Sequence, residues 1–401
     1  MSWPLKLTIY AICIYFTSAS YTMCIPFLPV YLLELGAPKE SIELWTALVF
    51  SACFLIAGIM APIWGKISDI KGKKSMAMRS ALLLCVSYSC GGIVTAPIQL
   101  LGMRIIQGFA NGYLPVVLSM VSSQSPKEKL ATSLSIIQSS QLVGTVSGPL
   151  IGGLLADVYG YRASFIIAGI FLAIVVVITY LTPESKNTDE ITTTQTSIFQ
   201  DLKYCFVTRD IFEPLLLLFI LQIAMLATNP LMALYVYEIL GSFDNIGFYA
   251  GLACSIPPLV GAFFSPLWGM FGQKKGYYKV MSLTFLGSGI FTLLQGSASN
   301  YYSLLIYSGI LGLFIVGIMP SLTASLTVAT SSDFRGRAFG ALTMAGQFGA
   351  MFGPFLGAAV SKNYSISYQF YLSGLILIAL SMFLAYRIYQ KHKDKLTAQK
   401  N

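Results

Sequence analysis

One cation lies deep inside an apolar stretch: Arg104 is the only charged residue between Ser80 and Pro126. An unpaired guanidinium within a membrane span is costly, so it marks function rather than packing. Gln107 and Asn111 follow at i+3 and i+7, which expects all three on one helix face. Gln138, Gln141 and Thr145 repeat that spacing, as do Gln222, Met225 and Asn229. Together with Tyr21 these side chains suit a cavity for an amphipathic molecule. The Gln and Asn residues serve equally well as hydrogen-bonding glue between helices. Gly144, Gly148 and Gly152 recur every four residues on one face, with Pro149 among them. Such a row lets two backbones approach closely, and Pro149 removes a backbone hydrogen bond. The expectation is an interface that rocks; the plainer alternative is small-residue packing.

A third pattern is a loop. Ala61–Ser75 carries Pro62, Trp64, Gly65, Asp69, Lys71, Gly72, Lys73 and Lys74, and it returns 204 residues later as Ser265–Lys279, with Pro266, Trp268, Gly269, Lys275 and Gly276 in register. The duplication runs further. Pro26, Tyr31 and Glu34 match Pro230, Tyr235 and Glu238 at the same offset, and Gly112 and Pro115 match Gly317 and Pro320 one residue later. Gly349, Gly353, Pro354 and Gly357 likewise repeat Gly144, Gly148, Pro149 and Gly152. A repeat of half the chain, with basic loops between apolar runs, is the pattern of a duplicated membrane bundle.

The elements that carry these groups are membrane helices. The 401 residues are 56% hydrophobic and 10% charged, where a soluble domain carries about 25% charge. Apolar runs of spanning length predict twelve helices, six in each half. That gives an N-terminal bundle at 1–183, a hydrophilic linker at 184–209 with a short surface helix near Ile198–Phe206 in an otherwise plain tether, a C-terminal bundle at 210–388 and a basic tail at 389–401. With the N-terminus inside, all but four of the 25 Lys and Arg fall in one set of loops or in the tail. This bias predicts two cytoplasmic termini and explains the +9 net charge without nucleic acid. The first apolar run is too long for a cleavable signal and is expected to be the first span. Six of the seven Cys lie in apolar runs, and the only His is His392. No disulfide framework, metal spacing or His relay is expected. With no carboxylate pair at depth and no soluble domain, an enzyme finds no support.

Gly65-Lys-Ile-Ser-Asp69-Ile-Lys-Gly72-Lys73-Lys74 resembles the loop signature G-x-L-A-D-R-x-G-R-K of the major facilitator superfamily, departing from it at Ile70. Leu100-x-x-x-Arg104-x-x-Gln107-Gly108 resembles the fourth-helix signature of its proton-linked members. Gly144-x-x-x-Gly148-Pro149-x-x-Gly152-Gly153 matches the fifth-helix pattern associated with antiporters. The resemblance covers essentially the whole chain and is nearest to the twelve-helix drug:proton antiporter branch, in particular the MdtG-like multidrug exporters. It implies an all-α integral membrane protein of two pseudo-symmetric six-helix bundles, in a bacterial inner membrane. It also implies that Asp69, supported by Gly65, Gly72, Lys73 and Lys74, latches the cytoplasmic side against the start of helix 11, and that Arg104 belongs to the proton-coupling site. Glu34 matches a glutamate at the same place in the MdtG-like group and is the expected proton carrier; a charge at the membrane edge is the alternative. The expected function is proton-coupled efflux of small amphipathic molecules by alternating access, by a monomer with lipids around it and no cofactor beyond the proton gradient. A lipid or glycolipid flippase, or an uncoupled facilitator, would use the same fold.

Overall fold

A computed structural model of the chain describes residues 3–126, 129–183, 198–242, 244–331 and 334–398. Within these the protein is helical: α1 (Trp3–Met23), α2 (Leu28–Glu34), α3 (Ile42–Lys71), α4 (Lys73–Ile93), α5 (Pro97–Ala110), α6 (Tyr113–Gln124), α7 (Leu130–Tyr159), α8 (Tyr161–Leu181), α9 (Ile198–Val207), α10 (Arg209–Thr228), α11 (Met232–Leu240), α12 (Ile246–Lys275), α13 (Tyr277–Gly296), α14 (Tyr301–Ile315), α15 (Ile318–Ala329), α16 (Arg335–Asn363) and α17 (Ile366–Ala398). Nine stretches of the described residues are long and apolar enough to cross a bilayer, and the bent α1–α2 pair makes a tenth. The α13 and α16 helices, of 20 and 29 residues, also have the length of a crossing, at the places where the sequence pattern expects the remaining two of twelve. Even the shorter reaches about 30 Å at 1.5 Å per residue.

Four of the spans are broken, and the breaks fall where the sequence repeats. Pro26 lies in the gap between α1 and α2, where the axis turns by 55°. Its counterpart Pro230 lies in a 3₁₀ turn, Asn229–Leu231, between α10 and α11. Gly112, at φ +121°, separates α5 from α6, and Gly317 precedes α15. Proline takes a donor out of the helical ladder and glycine tolerates the turn. The repeated loop glycines make the reversals between spans. Gly72 and Gly276, at φ +88° and +94°, are one-residue turns that carry α3 into α4 and α12 into α13.

The chain forms two compact units: residues 1–198 with 229–255, and residues 199–228 with 256–401. In the first, the fully buried rings of Phe27, Tyr31, Tyr88 and Phe165 form one cluster, with the Tyr31 and Phe165 centroids 5.2 Å apart. Because lipid is as apolar as a protein core, helices in a membrane are held by close packing and hydrogen bonds rather than by expulsion from water. The glycine rows supply that packing. A Cβ at Gly144 or Gly148 would stand 2.6 Å from the carbonyl oxygen of Tyr15 or Ala19 in α1. A Cβ at Gly152 would run into the Met23 carbonyl. In the second unit Gly353 of α16 lies as tightly on Ile223 of α10.

Candidate functional site

Arg104 occupies the buried face of α5 with Leu100, Met103, Gln107 and Gly108. The helix reaches that depth because Gly108 has no side chain: a Cβ there would stand 2.7 Å from the Cys53 carbonyl in α3. Only 3% of Arg104 is exposed. Its Nη1 donates to Gln107 Oε1 at 2.9 Å, Gln107 Nε2 donates to the Tyr88 hydroxyl at 2.7 Å, and that hydroxyl donates to the Tyr21 carbonyl at 3.3 Å. The guanidinium carbon lies 5.3 Å from the centre of the Phe50 ring, a cation–π distance. Nε and Nη2 have no hydrogen-bond partner, and the ion pairs among the described residues, Arg337–Asp201 and Arg387–Glu213, do not include Arg104.

The expected cavity stripes fare unevenly. Asn111 leaves the face of Arg104, because α5 ends at Ala110 and Asn111 turns to φ −57°, ψ +147°; an i+7 relation needs an unbroken helix. Its side chain is exposed and its carbonyl accepts from Arg79 Nη2 at 3.3 Å. Gln107 is committed to Arg104 and Tyr88. Tyr21 is half-buried beside that network. Gln138 is exposed and Gln141 half-buried on α7. Gln222 is half-buried where α10 meets Gly349, Met225 packs at the edge of the second unit's core, and Asn229 is half-buried in the 3₁₀ turn. Glu34 is exposed at the end of α2.

The loop signature resolves partly into structural roles. Lys73 Nζ donates to the Ser119 carbonyl of α6 at 3.3 Å and Lys74 Nζ to the Tyr180 carbonyl of α8 at 3.0 Å. Lys74 thereby sits in the last turn of α8, where a cation is favoured. The surroundings of Gly65 and the Asp69 side chain lie outside what is described, and so does the latch expected of them. Trp64 supports its neighbour: Arg79 stacks on its ring at 3.7 Å and reaches the Phe109 carbonyl at 2.7 Å. Arg79 thereby fills the acceptors left open where α5 breaks. In the second unit Trp268 does this directly, its Nε1 donating to the Leu313 carbonyl at 2.6 Å.

Sequence reasoning did not single out Asp157. In the last turn of α7, its Oδ1 accepts from the Gly247 N–H at 3.1 Å and its Oδ2 from the Phe248 N–H at 2.7 Å. It caps the N-terminus of α12 from another helix, where exposed N–H groups and the helix dipole favour a negative charge. Pro149 and Gly153 face the same partner: a Cβ at Gly251 would strike the Pro149 carbonyl, and one at Gly153 the Gly247 carbonyl. The fifth-helix pattern thus serves two faces, Gly144, Gly148 and Gly152 toward α1 and Pro149 and Gly153 toward α12. A signal was present, since a carboxylate in the last turn of its own helix opposes that helix's dipole and needs another reason to be there.

The second unit holds a buried pair, Arg387 Nη2 to Glu213 Oε2 at 2.7 Å. It also shows that the end of the linker is more than a tether. Asp201 of α9 pairs with Arg337 at 2.7 Å, Tyr204 meets Phe334 edge-on at 4.9 Å, and Cys205 is buried.

The family model described as Major Facilitator Superfamily matches residues 10–243 and 214–401. The chain is 33% identical over 384 residues to multidrug resistance protein MdtG of Proteus mirabilis, covering 94% of each chain. It is 30% identical to the multi-drug resistance efflux pump PmrA homolog of Lactococcus lactis, over 95% of this chain and 93% of that protein. Among solved structures it is similar in fold to the nucleoside transporter NupG, with a TM-score of 0.78 at 15% identity over 96% of this chain and 98% of the other.

Proposed function

The chain belongs to the major facilitator superfamily of membrane transporters, and from that premise we propose that it exports small amphipathic molecules in exchange for protons. The observation that carries this reading is the buried Arg104–Gln107–Tyr88 network, a fixed positive charge in a protein interior that no acid among the described residues pairs with. The names of the relatives, a multidrug resistance protein and a multidrug efflux pump, support efflux as the direction. In this proposal two six-helix bundles, 1–183 and 210–388, alternate access to a central site in the inner membrane. Both termini are cytoplasmic, and the cytoplasmic side closes through Asp69. Arg104 sets the electrostatics of the coupling site, and Glu34, exposed to water at the end of α2, carries the proton. The Asp157 cap on α12 supports a role in rearrangement, because it is a compact electrostatic contact that can be made or broken whole.

Efflux of a fluorescent amphipath from proteoliposomes, with and without an imposed pH gradient, tests this. Gradient-driven efflux in the wild type, lost in Arg104→Ala, is the expected result. Coupling that survives Glu34→Gln would remove Glu34 as the carrier. Efflux indifferent to the gradient would overturn antiport in favour of a facilitator or flippase.

A further inference from the structure

The two Arg104 donors without partners, Nε–H and one N–H of Nη2, point the same way from one edge of the guanidinium. That edge matches two oxygens of a carboxylate or phosphate. Gln107 occupies Nη1, on the other side, so it holds the guanidinium plane and leaves the fork free. A buried charge needs a counter-charge, and no acid among the described residues forms an ion pair with Arg104. The Phe50 ring lies 5.3 Å from the guanidinium carbon, and Leu100 and Met103 share the buried face of α5 with Arg104, apolar surface suited to the body of a molecule whose head is charged.

We infer that Arg104 is an oxyanion receptor, and that the transported molecules are amphipaths with a carboxylate or phosphate-type head rather than organic cations. The inference rests on the export reading, because it names the cargo of that site. Cargo and counter-ion are then the same thing: the head neutralises Arg104 on binding and leaves the charge bare on release. An unloaded site is thereby penalised, which couples cargo binding to the state of the helix that carries Arg104.

Binding to the purified full-length protein tests the inference, using fluorescent C12 amphipaths that share one tail and differ only in the head: carboxylate, phosphonate, primary amide and trimethylammonium. The carboxylate should bind at least about tenfold more tightly than the amide, and the ammonium more weakly still. Arg104→Gln should bring carboxylate and amide to equal affinity. Arg104→Lys should restore only part of the preference, because an ammonium offers no planar fork. Wild-type protein that binds ammonium as well as carboxylate, or an Arg104→Gln protein that keeps the preference, would overturn the inference. The wild-type comparison stands even if a variant fails to fold. A parallel arm in nanodiscs with and without phosphatidylglycerol identifies the source: competition by that lipid alone, without binding of the free carboxylate, would overturn small-molecule cargo. The export reading fails separately, if the wild type selects the carboxylate but shows no gradient-driven efflux. Efflux of amide and ammonium probes without head selectivity would leave export standing and sink the receptor.

Discussion

Replacing Asp157 by Ala should open the first turn of α12. Its carboxylate accepts two backbone N–H groups, at 3.1 and 2.7 Å, and neither has an acceptor within its own helix at that position. Loss of an N-cap acceptor costs about 0.5–2 kcal/mol, and loss of a charge at a helix N-terminus about 0.3–1 kcal/mol more. Asp157 is half-buried, so both effects are partly screened, and about 2 kcal/mol is a fair sum. That is roughly a thirtyfold shift in the equilibrium for opening the turn. The Asp157→Asn variant keeps one acceptor and loses the charge; it should cost about 1 kcal/mol, roughly fivefold. Hydrogen exchange measured by mass spectrometry on a peptide covering 246–255 reports this directly, because the amides of Gly247 and Phe248 owe their protection to this side chain. Exchange there should accelerate by those factors while a peptide from the core of α8 is unchanged. If protection in Asp157→Ala stays within twofold of wild type, the cap does not hold α12 and its role in rearrangement falls with it.

Gly251→Ala should disturb the same contact by another route, since its Cβ would strike the Pro149 carbonyl; faster exchange at 246–255 checks it. Arg79→Ala leaves the Phe109 and Asn111 carbonyls open at the α5–α6 break, and should cost about 2–3 kcal/mol in detergent unfolding followed by Trp fluorescence. Glu213→Ala strands a buried guanidinium at Arg387 and should destabilise by about 3–5 kcal/mol in the same assay, whereas Glu213→Leu with Arg387→Met should be near neutral. At Cys205, outside the membrane spans, burial pushes the thiol pKa up, Asp201 adds to it and Arg337 opposes. A raised pKa leaves less thiolate at pH 7, so alkylation should be slow and should keep rising with pH beyond the range of an ordinary thiol. Asp201→Ala, which frees α9, should speed it at every pH.

What could be read from the chain and what could not divide along a physical line. Burial of Arg104 was legible, because a lone charge in an apolar run has few places to be. The breaks at Pro26, Gly112, Pro230 and Gly317 were visible as repeated residues, but only as matches, since pattern alone does not tell a helix-breaking glycine from a packing one. Asn111 was misplaced for that reason: the i+7 argument ran through a break that Gly112 makes. Partners were not legible. Asp157 and Gly247 are 90 residues apart, Glu213 and Arg387 174 apart, and nothing local to either end names the other. The row of Gly144, Gly148 and Gly152 announced close packing and not its direction; it lies against α1, and the neighbouring Pro149 and Gly153 are the ones that meet α12.

The repeated tryptophan shows how a duplicated chain keeps a device while changing its parts. A break in a span exposes carbonyls that lipid cannot satisfy, so each must find a donor within the protein. In the second unit Trp268 gives its own N–H to Leu313. In the first, Trp64 keeps its place but yields the donor role to Arg79, stacking beneath the guanidinium as it spans Phe109 and Asn111. The exchange puts a second fixed cation within the α4–α5 hairpin that also carries Arg104, and it ties the end of the half-helix bearing Arg104 to α4. Both carbonyls opened by the break are thus held from α4 by one side chain, so the same substitution that bares them also loosens the half-helix that carries Arg104.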